Sequence, residues 1–254
     1  MLTQTTTESR DTQVAAHSRP TIVLVHGDWA DGSSWSSVIE RLQERGFTVL
    51  APPNPLRGPA VDASYLAGYL RTISGPIVLV AHSYGGFVIT NAATGNPNVK
   101  ALVYIDSFMP DEGETLGALA ARSGSSIDES ALNPVPADGG ADLYLRWDPN
   151  PPYAGYTEAF ANGVEPETAA ILFAAQRPAA AAEFAEPSGT PAWKTIPSWS
   201  LIGTQDTVIP VALQEEMGNR AGAQISRVKA GHLSLITRPA DVTKVILSAV
   251  DATM

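Results

Sequence analysis

The chain of 254 residues contains no cysteine. That excludes disulfides, thiolate metal sites and a cysteine nucleophile, without fixing the compartment. Histidine is scarce, with only four, so any imidazole chemistry has few candidates. No apolar run approaches the ~18 residues a membrane-crossing helix needs, and no membrane partner is expected. Residues 1–19 lack a basic start followed by an apolar core, so no secretory signal is read there and a cytoplasmic location is expected. The same residues are rich in Thr, Gln and Ser and read as a loose tail. Basic charge is in deficit, with a net charge of −10, which argues against a nucleic-acid surface.

What is present is an ordinary globular balance, 44% hydrophobic and 17% charged. The length suits one α/β domain with an insertion. The acidic excess is concentrated. Asp106 to Trp193 holds fourteen acidic and three basic residues, whereas the rest of the chain holds twelve and thirteen. That shift marks a separate subregion.

Thr21 to Val25 is a continuous apolar run rich in β-branched residues, the pattern of a strand buried on both faces. His26-Gly27-Asp28-Trp29 follows at its end. Ser33 to Arg45 has helical spacing and Gly46 as its stop. Phe47 to Leu50 reads as a short strand and Val61 to Ile73 as a helix. Ile77 to Val80, Val99 to Ile105, Ser198 to Ile202 and Gln224 to Val228 complete six strands. Val211 to Gly218 and Pro239 to Val250 are the last two helices. Strands alternating with helices predict a six-stranded, mostly parallel sheet flanked by helices. Ser107 to Trp193 shows no clear strand. Its scattered aromatics need burial, so it reads as a mostly helical cap and not as a linker. The expected organisation is a tail over 1–19, a core over 20–106 and 194–254, and a cap over 107–193.

One stretch carries chemistry. In Pro76 to Thr90, PIVLVAHSYGGFVIT, an apolar strand turns sharply through Ser83 into a helix. That is the layout of a nucleophile elbow, where the strained turn requires small neighbours. Gly85 meets the requirement, and Ala81 approximates it. The base follows by elimination. His17 lies in the tail, His82 is adjacent to Ser83 and points elsewhere, and His26 sits where it orders a loop. His232 lies in the loop after the last strand. Loops at strand C-terminal ends gather over one crevice in an open α/β sheet, so His232 shares an edge with Ser83. Asp206, just past the strand Ser198 to Ile202, is the preferred acid partner. Asp106, at another strand end, is the competitor. If Asp206 has the role, Asp106 is left to line the pocket, cap a helix or face water. Backbone N–H groups of Asp28 and Tyr84 are the expected oxyanion donors.

The segments VLVHGDW, VAHSYGGFVI, GTQDTVIP and GHLSLITRP together resemble the α/β-hydrolase superfamily. The short chain and compact cap are similar to small esterases of the plant methyl esterase and hydroxynitrile lyase group. The resemblance implies Ser83 as nucleophile, His232 as base and Asp206 as its partner, with Asp28 and Tyr84 at the oxyanion hole. Leu233 stands where the hydroxynitrile lyases carry a lysine, which argues against cyanogenesis. Asp28 places a carboxylate where small or apolar residues are common. The expected activity is hydrolysis of a small, apolar carboxylic ester, with no metal or organic cofactor implied. A lactone substrate, lyase or cofactor-free oxygenase chemistry, and a non-catalytic receptor remain as alternatives. Trp29, Phe108, Met109 and Trp147 are candidate pocket residues, although plain core is the commoner role for such side chains.

Overall fold

The computed structural model describes residues 19–146 and 154–253. Trp147 lies outside the described residues. The strands are β1 (Thr21–Val25), β2 (Val49–Leu50), β3 (Ile77–Ser83), β4 (Val99–Ser107), β5 (Leu132–Ala137), β6 (Gly140–Leu145), β7 (Ala179–Ala180), β8 (Ser198–Gly203) and β9 (Gln224–Val228). The helices are α1 (Ser36–Gln43), α2 (Pro59–Leu70), α3 (Gly85–Ala92), α4 (Leu116–Ser123), α5 (Ala154–Ala159), α6 (Pro166–Ala174), α7 (Val211–Arg220), α8 (Ser234–Thr237) and α9 (Pro239–Thr253).

Six strands form one sheet in the order β2-β1-β3-β4-β8-β9, and every neighbouring pair is parallel. The central strands are Val-, Ile- and Leu-rich because both faces are covered. All seven residues of β3 are buried. On the helical layers, α1 packs with α9 and α2 with α3. Full burial of each Leu or Ile in these strands stabilises the fold by roughly 1.5–3 kcal/mol. After β1 the chain adds β2 on one side and then β3 on the other. The reversal opens a crevice beyond the C-terminal ends of β1 and β3, the place where an open α/β sheet presents ligands.

Between β4 and β8 the chain leaves the sheet. The expectation that this insertion shows no clear strand needs correction. This insertion contains α4, α5 and α6, and also a three-stranded sheet in the order β5-β6-β7, with β5 and β7 each antiparallel to β6. The hairpin closes through Gly139 and Gly140, both at positive φ, a backbone that glycine adopts without strain. Pro134 and Pro136 lie in β5. They are tolerated because β5 is an edge strand with its second side unpaired. The insertion is anchored to the sheet edge. Trp29 Nε1 donates to the Leu143 carbonyl at 2.9 Å, and Arg57 pairs with Asp142 at 2.7 Å.

Candidate active site

Among the described residues four non-glycine positions have positive φ: Trp29, Leu56, Ser83 and Asp106. Trp29, Ser83 and Asp106 sit at or just beyond the C-terminal ends of β1, β3 and β4. Strain in that region costs about 1–3 kcal/mol per residue and persists only where surrounding contacts enforce it. Ser83, with φ of 55°, is the apex between β3 and α3. Its carbonyl accepts from Ser107 Oγ at 2.7 Å and from the Phe108 N–H at 3.3 Å. Close approach explains the neighbouring glycines. A Cβ on Gly27 would lie 2.6 Å from Ser83 Cβ, and one on Gly85 would lie 2.8 Å from the Val25 carbonyl oxygen. Ala81 is fully buried and pairs in register with Val25 and Tyr104, so a methyl group is accommodated where the elbow pattern has glycine.

The structure brings Ser83, His232 and Asp206 together. His232 Nε2 lies 3.0 Å from Ser83 Oγ, and its Nδ1 lies 2.9 Å from Asp206 Oδ2. A carboxylate only accepts, so Nδ1 carries the proton and Nε2 presents its lone pair to the serine hydroxyl. Asp206 is itself held. Its Oδ1 accepts from the N–H groups of Val208 and Ile209 at 2.9 and 3.0 Å, and its Oδ2 accepts from Gln214 Nε2 at 2.9 Å. His232 is completely buried. Burial alone would lower its pKa, but the Asp206 carboxylate, with Asp106 and Asp28 behind it, raises it above the usual histidine value.

The other described histidines have different work. His82 Nε2 donates to the His232 carbonyl at 2.8 Å, which fixes the loop carrying that imidazole. His26 Nε2 accepts from the Asn54 N–H at 2.9 Å, leaving Nδ1 to donate to the Gly27 carbonyl. Burial depresses its pKa to about 4, so it stays neutral and orders the turn before Asp28. The His82 role was not foreseen; its position beside Ser83 was the available signal.

Asp106 does not line the cavity at Ser83. It is fully buried, with Oδ1 accepting from the Gly203 N–H at 2.7 Å and Oδ2 from the Ser234 N–H at 3.1 Å. It therefore clamps the end of β8 and the residue two beyond His232. Burial, reinforced by Asp206, pushes its pKa up to about 7. Met109 is also absent from the lining; its N–H donates to Met217 Sδ on α7 at 3.4 Å. Trp29 and Phe108 do line the cavity, with Asp28, Ser83, Leu116 and Phe184 among their neighbours. The space beside Ser83 is about 30 Å³. It shares Ala120, Ser125, Ile127 and Phe184 with an outer chamber of about 480 Å³ between α4 and the hairpin. From the insertion, Phe160 packs its ring 5.4 Å from that of His232.

Tyr84 directly follows Ser83 as the N-cap of α3, where the first N–H groups of a helix lack intrahelical acceptors. Its hydroxyl donates to Asp62 Oδ2 at 2.8 Å. Asp28 follows Gly27 on the facing loop and is 4% exposed. Its side chain meets Glu183, a fully buried residue of the insertion. Sequence reading missed Glu183, because an acid in an Ala-rich stretch ordinarily faces water.

Residues 22–245 match the alpha/beta hydrolase family, and the chain belongs to it. Over 114 residues it is 34% identical to a carbendazim hydrolyzing esterase of Nocardioides sp. (strain SG-4G), covering 40% of this chain and 47% of that protein. The chain thus matches about half the length of that curated relative. Among solved structures, a pyrethroid hydrolase from Sphingobium faniae JZ-2 is similar with a TM-score of 0.73 and 20% identity, covering 92% of this chain and 98% of that one. Polyneuridine aldehyde esterase superposes with a TM-score of 0.75 at 18% identity, covering 91% and 99%. These structural likenesses extend over nearly the whole fold, insertion included.

Proposed function

We propose that this protein is a serine esterase that cleaves a small carboxylic ester through an acyl-enzyme. The observation that carries the reading is the continuous chain from Asp206 through His232 to Ser83, with contacts of 2.9 and 3.0 Å. Ser83 Oγ attacks the ester carbonyl while His232 Nε2 takes its proton. The tetrahedral oxyanion rests on the N–H groups of Asp28 and Tyr84, and Asp206 stabilises the imidazolium that forms. His232 then gives its proton to the departing alkoxide. Water, deprotonated by the same imidazole, attacks the acyl carbon and releases the acid and free Ser83. The esterase relative supports the reaction class. The apolar lining by Trp29, Phe108, Leu116 and Phe184 supports an apolar substrate body.

A fluorophosphonate probe tests this reading. It should label Ser83, located by peptide mass mapping, and the adduct should be absent in Ser83→Ala. A folded protein that resists labelling would overturn the proposal.

A further inference from the structure

The reaction leaves one group at the site unused. Asp28 Oδ1 is buried and finds no hydrogen-bond partner, although Asp28 lines the cavity with Ser83. The two Glu183 oxygens likewise find no conventional donor. The Asp28 and Glu183 carboxyls adjoin each other, within reach of a shared hydrogen bond. Two carboxyls can share such a bond only if one keeps a proton. Burial and the neighbouring Asp28 and Asp62 hold the Glu183 carboxyl well above its usual range. The pair therefore presents at most one negative charge, on Asp28.

A bare carboxylate beside an oxyanion hole opposes the charge that develops there. It also lies buried without a cation bonded to it, and burial makes an unpaired charge costly. Both penalties vanish if the bound substrate brings a positive hydrogen-bond donor. A site with a buried polar group of this kind strongly discriminates against analogues that leave it unpaired.

We infer that Asp28, supported by Glu183, is a specificity-determining residue that selects esters carrying a basic nitrogen near the scissile carbonyl, with their apolar part directed to the outer chamber. This rests on the esterase reading and names its substrate class. The groups facing Asp28 are Glu183 in the insertion, Asp62 on α2, Tyr84 at the start of α3 and His232 on its loop, with Arg57 beyond Glu183. Arg57 is already paired with Asp142, and no Lys or Arg among the described residues forms an ion pair with Asp28.

Two isosteric ester pairs test the inference. One compares 2-(dimethylamino)ethyl acetate with 3-methylbutyl acetate, and the other methyl N,N-dimethylglycinate with methyl 3-methylbutanoate. The readout is the ratio of kcat/KM, amine over hydrocarbon, followed by acid release. In at least one pair the ratio should fall about tenfold in Asp28→Asn, the loss of one charged hydrogen bond. It should persist in Glu183→Gln, whose amide can still donate to an ionised Asp28. In the unmodified protein the ratio for 2-(dimethylamino)ethyl acetate should rise as pH passes upward through the Asp28 midpoint of about 7, and fall again once the amine itself loses its proton. That profile stands even if a variant fails to fold. A ratio that is insensitive both to pH and to Asp28→Asn, in both pairs, would overturn the inference. Fluorophosphonate labelling of Ser83 in the same samples reports separately on the esterase reading.

Discussion

The sheet core and the insertion between β4 and β8 solve different problems. In the core every residue of β3 is buried, and the Ser83, His232 and Asp206 side chains are bonded to one another. In the insertion four of the six β5 residues are exposed, and the pieces that matter reach the core singly: Phe160 over His232, Phe184 at the cavity and Glu183 on Asp28. On the proposed reading the core holds the reacting groups within hydrogen-bond distance, which demands rigid packing. On the same reading the insertion sets which molecules arrive, and it can change with little cost to the sheet. On this view substitutions in the core should abolish turnover, and substitutions in the insertion should redirect it.

The largest effects are expected from His232→Ala and Ser83→Ala, each lowering kcat/KM roughly a thousandfold or more for any ester. Steady-state assays on p-nitrophenyl acetate check this. Next come the two aspartates. Asp206→Asn should lower kcat by roughly 1,000–10,000-fold, because the imidazole loses its acceptor at Nδ1. Asp106→Asn should cost about tenfold or less in rate but about 1–3 kcal/mol in denaturant stability, because one clamped N–H loses its acceptor. The reverse ranking in rate would exchange their roles.

A smaller effect concerns pH. His232 must be neutral to act as base, and its pKa is raised. The acid limb of kcat/KM should therefore lie above the ordinary histidine value. Glu183→Gln should act on stability in a pH-dependent way. The Glu183 pKa is raised in the folded state, so the folded protein keeps a proton that the unfolded chain releases. Its contribution is fully present below the unfolded carboxyl range and is lost as pH rises. The glutamine should thus stabilise the protein at about pH 8 and have no effect at about pH 4. Thermal melts at the two pH values measure it. The smallest expected effect is Leu143→Ala, on the wall of the outer chamber. It should shift KM between short and long esters by about threefold, with kcat for acetates held. A large kcat loss there would break the division between core and insertion.

Much of the core was readable in the sequence because its signals are local and redundant. Continuous apolar runs mark β1 and β3, β4 and β8 are largely apolar but interrupted by Lys100 and Ser200, and the Ser83 turn is flanked by a strand and a Gly-Gly helix start. The loop histidine at 232 follows from sheet topology. The insertion was legible only as an acidic, aromatic segment. β5 was hidden by Pro134 and Pro136, which remove N–H donors and are permitted only on an edge. Glu183 was hidden because burial of an acid depends on a partner 155 positions away, Asp28, and such pairing leaves no local pattern. The clamp at Asp106 was hidden for a related reason, since it bonds backbone N–H groups of residues 203 and 234, which any side chain there would provide.

The central claim is that Ser83 becomes acylated and that His232 and Asp206 drive both halves of the reaction. The most direct measurement is acid-quenched intact-protein mass analysis of Asp206→Asn during turnover of p-nitrophenyl acetate, followed by peptide mapping. A slowed deacylation should leave a single acetyl group on Ser83 that disappears as substrate is exhausted. Turnover without any acetylated Ser83, in a protein that is folded and active, would contradict the account.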